Sequence, residues 1–213
     1  MTQTKPESDQ LRFWRGEFGN SYTDRNDAVA EHLRARVGMW APIMATMVGA
    51  PPQSILEVGA NIGNNLRAIR QLSDAEFFAL EPNAKARQKL IGDGVVPFGN
   101  VRDGFAAAID FPDNSIDLVF TSGVLIHIHP DDLLASCRDM HRVSRRYVVS
   151  VEYFADTPTE LGYRGHNERL FKRDFGGFWL DNFADLRVVN YGFAWKRLTG
   201  LDNLTWWVFE KQA

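Results

Sequence analysis

The sequence predicts an α/β fold: a doubly wound, mostly parallel sheet of seven strands, with an antiparallel pair at its C-terminal edge and a helical arm at its N-terminus. Three observations carry this. Apolar runs of strand length alternate with helix-spaced segments between residues 54 and 153, the pattern of a parallel sheet covered on both faces. The first run ends in a glycine-bearing turn that opens a helix. The last two strand-like runs, 188–195 and 205–210, have no helix-length gap between them, so they pair antiparallel.

In chain order, residues 1–10 are polar and read as loose. Residues 11–26 (LRFWRGEFGNSYTDRN) mix aromatics with charges and read as an ordered arm. Between 28 and 48 the apolar residues Val29, Leu33, Val37, Trp40, Ile43, Met44 and Met47 recur at helical spacing, and GAPP at 49–52 stops the helix. Strands follow at 54–58 (SILEV), 76–80 (EFFAL), 95–98, 116–121 (IDLVFT) and 146–153 (RYVVSVEY), with helices at 65–71 and 83–91. The helix at 130–143 opens on Pro-Asp-Asp, with proline at its first turn and acids on the positive end of its dipole. Residues 155–185 read as a helix and loop inserted before the final pair.

Composition bounds the function classes. The 24 Lys+Arg and 27 Asp+Glu leave a net charge of −3, too balanced for a whole-molecule field that would draw nucleic acid. A hydrophobic fraction of 45% supports a real core in one domain of 213 residues. A single cysteine, Cys137, precludes an internal disulfide framework and fits a reducing compartment. No run approaches a membrane span, and the opening MTQTKPESDQ lacks the apolar stretch of a signal peptide. The expectation is a cytoplasmic domain over 1–213, with residues 1–50 as arm and helix and 155–185 as a substrate-side insertion. Monomer and homodimer stay open.

Four motifs carry chemistry. Glu57-Val58-Gly59-Ala60-Asn61-Ile62-Gly63 follows a strand and opens a helix, where glycines let a ligand approach the backbone. Its spacing is not the tighter glycine pattern of a dinucleotide site. Glu57, at the strand end, suits a cationic ligand group; read alone, the turn merely needs glycine. Glu81 ends the second strand 18 positions after Gly63, close to the spacing at which a carboxylate takes ribose hydroxyls, two at once. Asp103 follows the third strand, where an acid can accept from an adenine amino group. Asp117 precedes the fourth strand, and the small residues Ser122 and Gly123 leave room at its far end.

The series EVGANIG, LEPN, GNVRD and FPDNSIDLVFTSGVLIHI resembles the class I S-adenosylmethionine-dependent methyltransferases over residues 50–155, with a Rossmann-like fold. Asn61 stands where that family has its middle glycine; Asn tolerates left-handed backbone better than most residues. By the resemblance, Glu57, Gly59, Ala60, Asn61 and Gly63 form the turn on the methionine part, and Glu81, with Pro82 beside it, takes the ribose. Asp103, next to Arg102, sits by the adenine, and Ser122 and Gly123 lie beside the sulfonium. A narrower resemblance spans nearly the whole chain: FWRGEFGNSYTDRN, TSGVLIHIHPDDL, HRVSRRYVVSVEYF, YRGHNERLFKRDF and DNLTWWVFEK are similar to the pseudaminic acid biosynthesis-associated methylases.

On the acceptor side, residues 163–174 carry Arg164, His166, Arg169, Lys172 and Arg173. If helical, Arg169, Lys172 and Arg173 share a face. The segment reads as a recognition loop for an anionic acceptor, or as a solvated charged face balanced by Glu168 and Asp174. Phe13, Trp14 and Phe18 read as core, while Tyr22 and Arg25 are candidates for contact with cofactor or acceptor. His127 follows the fourth strand, near where the methyl group would lie, and its range suits a general base; a hydrogen-bonded packing histidine is the alternative. No Cys/His or HExxH spacing suggests a metal.

The expected function is methyl transfer from S-adenosylmethionine to a small polar, anionic acceptor such as a sugar nucleotide or nonulosonate intermediate. A natural-product O-methyltransferase acting on a phosphonate or carboxylate is the alternative, and a non-catalytic cofactor-binding module a third. Neither nucleic acid nor membrane is an expected partner.

Overall fold

The computed structural model describes residues 8–212. Most of the polar start expected to be loose, residues 1–7, lies outside them. The aromatic arm is two short helices, α1 (Asp9–Arg15) and α2 (Glu17–Arg25), followed by the long α3 (Ala30–Ala45). Ser8 caps α1 by accepting from the Leu11 N–H at 3.2 Å. The sheet strands are β1 (Ser54–Val58), β2 (Glu76–Leu80), β3 (Val101–Arg102), β4 (Ile116–Ser122) and β5 (Ser144–Glu152), interleaved with α4 (Asn64–Ile69), α5 (Ala84–Gly92) and α6 (Pro130–Val143). A hairpin of β6 (Thr159–Tyr163) and β7 (His166–Lys172) and the helix α7 (Phe175–Asn182) follow; the chain closes with β8 (Leu186–Ala194), the short α8 (Lys196–Thr199) and β9 (Leu204–Lys211).

Seven strands form one sheet in the order β3-β2-β1-β4-β5-β9-β8. The first five run parallel, and β9 pairs antiparallel with both β5 and β8, the expected edge pair. Alternation along each strand sends side chains to two cores. Ile55, Leu118, Phe120 and Val149 pack with Trp40 and Ile43 of α3 and with Met47 just beyond its end. Leu56, Val58, Val119 and Val148 pack with Leu133, Cys137 and Met140 of α6 and Trp179 of α7. The α6 stripe recurs every three or four residues, which is why its periodicity was readable. Cys137 is buried there.

Two expected elements are corrected. The third strand is Val101–Arg102, paired with Ala79 and Leu80, not 95–98. Val95 and Val96 are buried, but Val95 donates to the Leu90 carbonyl and accepts from Arg70, so this apolar run seals the ends of α4 and α5 instead of joining a ladder. Residues 159–172 are a β-hairpin, not a helix. Its two-residue turn places Arg164 at φ +49 and Gly165 at φ +85, the pair of left-handed conformations a tight hairpin needs. Arg169, Lys172 and Arg173 therefore do not share a helical face. Among the described residues no helix is long and apolar enough to cross a membrane.

Candidate functional site

A cavity of about 1050 Å³ opens at the carboxyl ends of β1, β2 and β4, where crossovers in a doubly wound sheet leave a crevice. The arm covers it with Trp14, Gly19 and Tyr22, and the β6–β7 hairpin contributes Tyr163 and Arg164. The arm is tied down by Asn83, buried at the start of α5, whose Nδ2 donates to the Trp14 carbonyl at 3.1 Å and to Asn20 Oδ1 at 3.0 Å.

The first turn is built as a backbone device. Gly59 (φ +76), Asn61 (φ +48) and Gly63 (φ +76) all take left-handed conformations. A Cβ on Gly59 would meet Val124 Cγ2 at 2.6 Å. Gly59→Ala therefore combines backbone strain with a clash, and should cost about 2 kcal/mol or more, about 4–8 °C in melting temperature. An unchanged melting temperature would contradict this geometry. Glu57 is buried; its Oε1 accepts from Asn65 Nδ2 at 2.8 Å, Asn65 Oδ1 accepts from Trp40, and Glu57 Oε2 has no partner among the described residues. Burial pushes its carboxyl up to about 8. Glu81 clasps the turn: Oε2 accepts from the Asn61 N–H and Oε1 from the Asn83 N–H, both at 2.7 Å, while burial raises it to about 7.

Both carboxyls hold protons in the folded state that the unfolded chain has released. The stability this gives is fully present near pH 4.5 and is lost as pH rises toward 8. Melting temperature of the ligand-free protein should therefore fall as pH rises from about 5 to about 8 and level off above; a rise across that window would contradict the burial of these groups.

At the far end of the cavity, the one-turn helix Leu125–His127 presents His127. Its Nδ1 lies 2.6 Å from the Arg169 carbonyl, which only an Nδ1–H can satisfy, so Nε2 is left as an acceptor. The ring packs 4.9 Å from Trp14 and 4.7 Å from Tyr163. Burial lowers it to about 4, so it is neutral at physiological pH.

The cavity brings together Tyr22, Arg25, Glu57, Gly59, Ala60, Asn61, Glu81, Pro82, Ser122, Gly123, His127 and Arg164. Other expected site residues lie elsewhere. Gly63 faces Val95 and Leu90. Asp103 pairs with Arg15 at 2.7 Å and Arg87 at 3.2 Å, and Arg102 lies over Phe111. His166 packs edge-on against Phe13, Arg169 lies over the same ring, and Lys172 lies over Tyr153. Asp117 sits at the opposite end of β4, pairing with Arg145 and accepting from the Gln53 and Ser54 N–H groups.

The sequence reading missed Arg36. It lines the cavity, lies within electrostatic reach of Glu57, Tyr22 and Asp202, and burial lowers its pKa. The signal was present: it stands three residues after Leu33 and four before Trp40, a cation on an otherwise apolar helix stripe. Phe105 to Ala108 and the Tyr153–Asp202 pair (2.6 Å) were also missed as lining groups.

The site fits S-adenosylmethionine. A buried, unpartnered Glu57 oxygen and the nearby Arg36 complement an ammonium and a carboxylate on one amino-acid end. Glu81 keeps lone pairs for hydroxyls. Among the described residues, none beyond its chain neighbours comes within 4 Å of where a Gly123 Cβ would stand, leaving open space at the end of β4.

Residues 56–147 match the family model for the methyltransferase domain. The chain matches it from β1 into β5. It is an enzyme, an S-adenosylmethionine-dependent methyltransferase, and its cofactor is S-adenosylmethionine. No curated protein matches it by sequence. Among solved structures it is similar to an S-adenosylmethionine-dependent methyltransferase of Leishmania major (18% identity, 95% of this chain and 87% of that one, TM-score 0.71). It is also similar to the 1,6-didemethyltoxoflavin-N1-methyltransferase of Burkholderia thailandensis, solved with that acceptor and S-adenosylhomocysteine (17%, 99% and 93%, TM-score 0.70). A third is the magnesium protoporphyrin IX methyltransferase of Synechocystis with bound S-adenosylmethionine (12%, 98% and 100%, TM-score 0.67). At these identities the likeness is one of fold.

Proposed function

We propose that this methyltransferase acts on a hydroxyl of a small polar, anionic acceptor, such as a sugar nucleotide or nonulosonate intermediate, and that the described chain works as one domain around one site. The neighbours act on unlike acceptors, a toxoflavin precursor and a magnesium porphyrin, so the acceptor is argued from this chain's own residues. The resemblance to the pseudaminic acid-associated methylases agrees with an acidic sugar. The observation that carries the reading is the cavity wall, which a neutral histidine with an open Nε2 shares with Arg164, Arg25 and Arg36.

In this reading Glu57 meets the cofactor's ammonium, Arg36 and Tyr22 its carboxylate, Glu81 the ribose hydroxyls, and the Phe105–Ala108 stretch the adenine. The cofactor, when bound, supplies an activated methyl carbon on sulfur. The protein's part is to hold the acceptor oxygen in line with it under the arm, away from water. His127 Nε2 takes the proton of the acceptor hydroxyl, while the Arg169 carbonyl keeps the ring in the Nδ1–H tautomer. An anionic acceptor nearby raises His127 from its low value toward neutrality, which strengthens it as a base. Arg164, held at the hairpin turn, meets the acceptor's anionic group. A phosphonate or carboxylate acceptor would need the arginines and not the base.

The test is release of S-adenosylhomocysteine across a panel of sugar nucleotides, nonulosonates, carboxylates, phosphonates and neutral sugars. Turnover with hydroxyl-bearing anionic acceptors is expected. Turnover confined to neutral acceptors would overturn the proposal.

A further inference from the structure

We propose that Glu152, at the end of β5, is a positioning residue that holds the turn carrying Val124 and His127 and so sets the acceptor side of the site; the inference rests on the reading of His127 as the base. Glu152 is fully buried in a run of valines, where an acid has no use as packing, and it does not line the cavity. Its Oε1 accepts from the Val124 N–H at 3.2 Å and the Leu125 N–H at 3.1 Å, and its Oε2 from the Ile126 N–H at 3.4 Å. Three consecutive backbone donors, which a strand-to-turn junction would leave unpaired away from water, converge on one side chain.

The turn is thereby fixed from several directions. The Gly123 N–H donates to the Val151 carbonyl at 2.8 Å, beside Glu152 on β5. Glu152 gathers the next three N–H groups. The Arg169 carbonyl from β7 then takes His127 Nδ1–H. Two functional surfaces depend on this one carboxylate. Val124 closes over Gly59 of the cofactor turn, and His127 faces the acceptor. An apolar residue at 152 would pack equally well but would leave all three donors unpaired, freeing the turn to rotate. Of the titratable groups, Cys137 of α6 lies within electrostatic reach of both Glu152 and Arg173, and Tyr163 of β6 packs against His127.

The test reads His127 directly by ring nitrogen and carbon resonances across a pH titration, without needing the acceptor. In the wild type His127 should be the Nδ1–H tautomer and stay neutral down to about 4. In Glu152→Gln, which places an NH₂ against those N–H groups, the His127 titration should move up by about one unit or more and the fixed tautomer should be lost. In that variant kcat should fall about tenfold or more, by a larger factor than cofactor affinity, and Glu152→Asp should restore part of kcat. A folded Glu152→Gln protein with His127 unmoved overturns the proposal. Should that variant not fold, the wild type decides: the Val124, Leu125 and Ile126 amide protons should follow one common carboxyl titration, and independent behaviour of the three overturns the proposal. Failure of the base reading looks different: it is full activity in His127→Ala, whatever the resonances of His127 do in the Glu152 variants.

Discussion

Replacing Glu81 with alanine should weaken S-adenosylmethionine binding by about 100-fold or more, measured by calorimetric titration. Glu81 does two jobs. It would accept the ribose hydroxyls, and it clasps the turn by taking the Asn61 and Asn83 N–H groups at 2.7 Å. Its loss leaves two buried donors unpaired, at about 1–3 kcal/mol each, and removes hydrogen bonds from the ligand to a charged acceptor, about 1.5–3 kcal/mol each. Some of that cost falls on the fold and not on binding. A residue of about 3 kcal/mol corresponds to about 100-fold. Glu81→Gln keeps the shape and one acceptor oxygen, so a loss of about tenfold is expected. Because hydroxyl donors favour the ionised carboxyl, wild-type affinity should rise with pH as Glu81 ionises around 7. Affinity in Glu81→Ala within about threefold of wild type would remove Glu81 from the ribose site.

His127→Ala should lower kcat with a hydroxyl acceptor by about 10²–10⁴-fold while leaving cofactor affinity within a few-fold of wild type. The ring's Nδ1–H is committed to Arg169 and its Nε2 is open, so it is oriented to accept a proton and not to give one. Its depressed value sets the sign of the pH profile. With the free enzyme's value, kcat/KM of the wild type should be flat through neutrality and fall only as pH drops toward about 4, while kcat with an anionic acceptor bound should start to fall at a higher pH, where the ring in the complex gains its proton. A variant that retains nearly full kcat would place His127 among the packing residues, as one wall of the Trp14–Tyr163 aromatic cluster.

The parallel core of the fold was readable because its periodicities are long and pure. SILEV and IDLVFT are buried through nearly their whole length, and α6 carries an apolar stripe between a proline start and a basic last turn. Asn61 could be read as a left-handed residue because few side chains besides glycine tolerate that region, and its φ is +48. The misread elements lacked such signals. Residues 95–98 have strand composition, but only tertiary context decides that they plug helix ends. The β6–β7 hairpin has a charged second strand and little alternation, and its one local cue is the Arg164–Gly165 turn. The cation cluster there illustrates the limit of reading charge from sequence. Strand geometry and aromatic partners turn Lys172 toward Tyr153 and Arg169 toward Phe13, leaving Arg164 on the cavity wall. Arg36 and Glu152 left a weaker trace, a charged residue inside an otherwise apolar pattern, which in both cases marks a group placed for a purpose other than packing.

The most direct test of the central claim, that the cavity beneath the arm is the cofactor site built on Glu57 and Glu81, is a crystal structure of the complex with S-adenosylhomocysteine. The ribose hydroxyls are expected on the Glu81 carboxylate, the amino group at Glu57 Oε2 and the sulfur beside Ser122 and Gly123. Ligand bound away from these two carboxylates would contradict it.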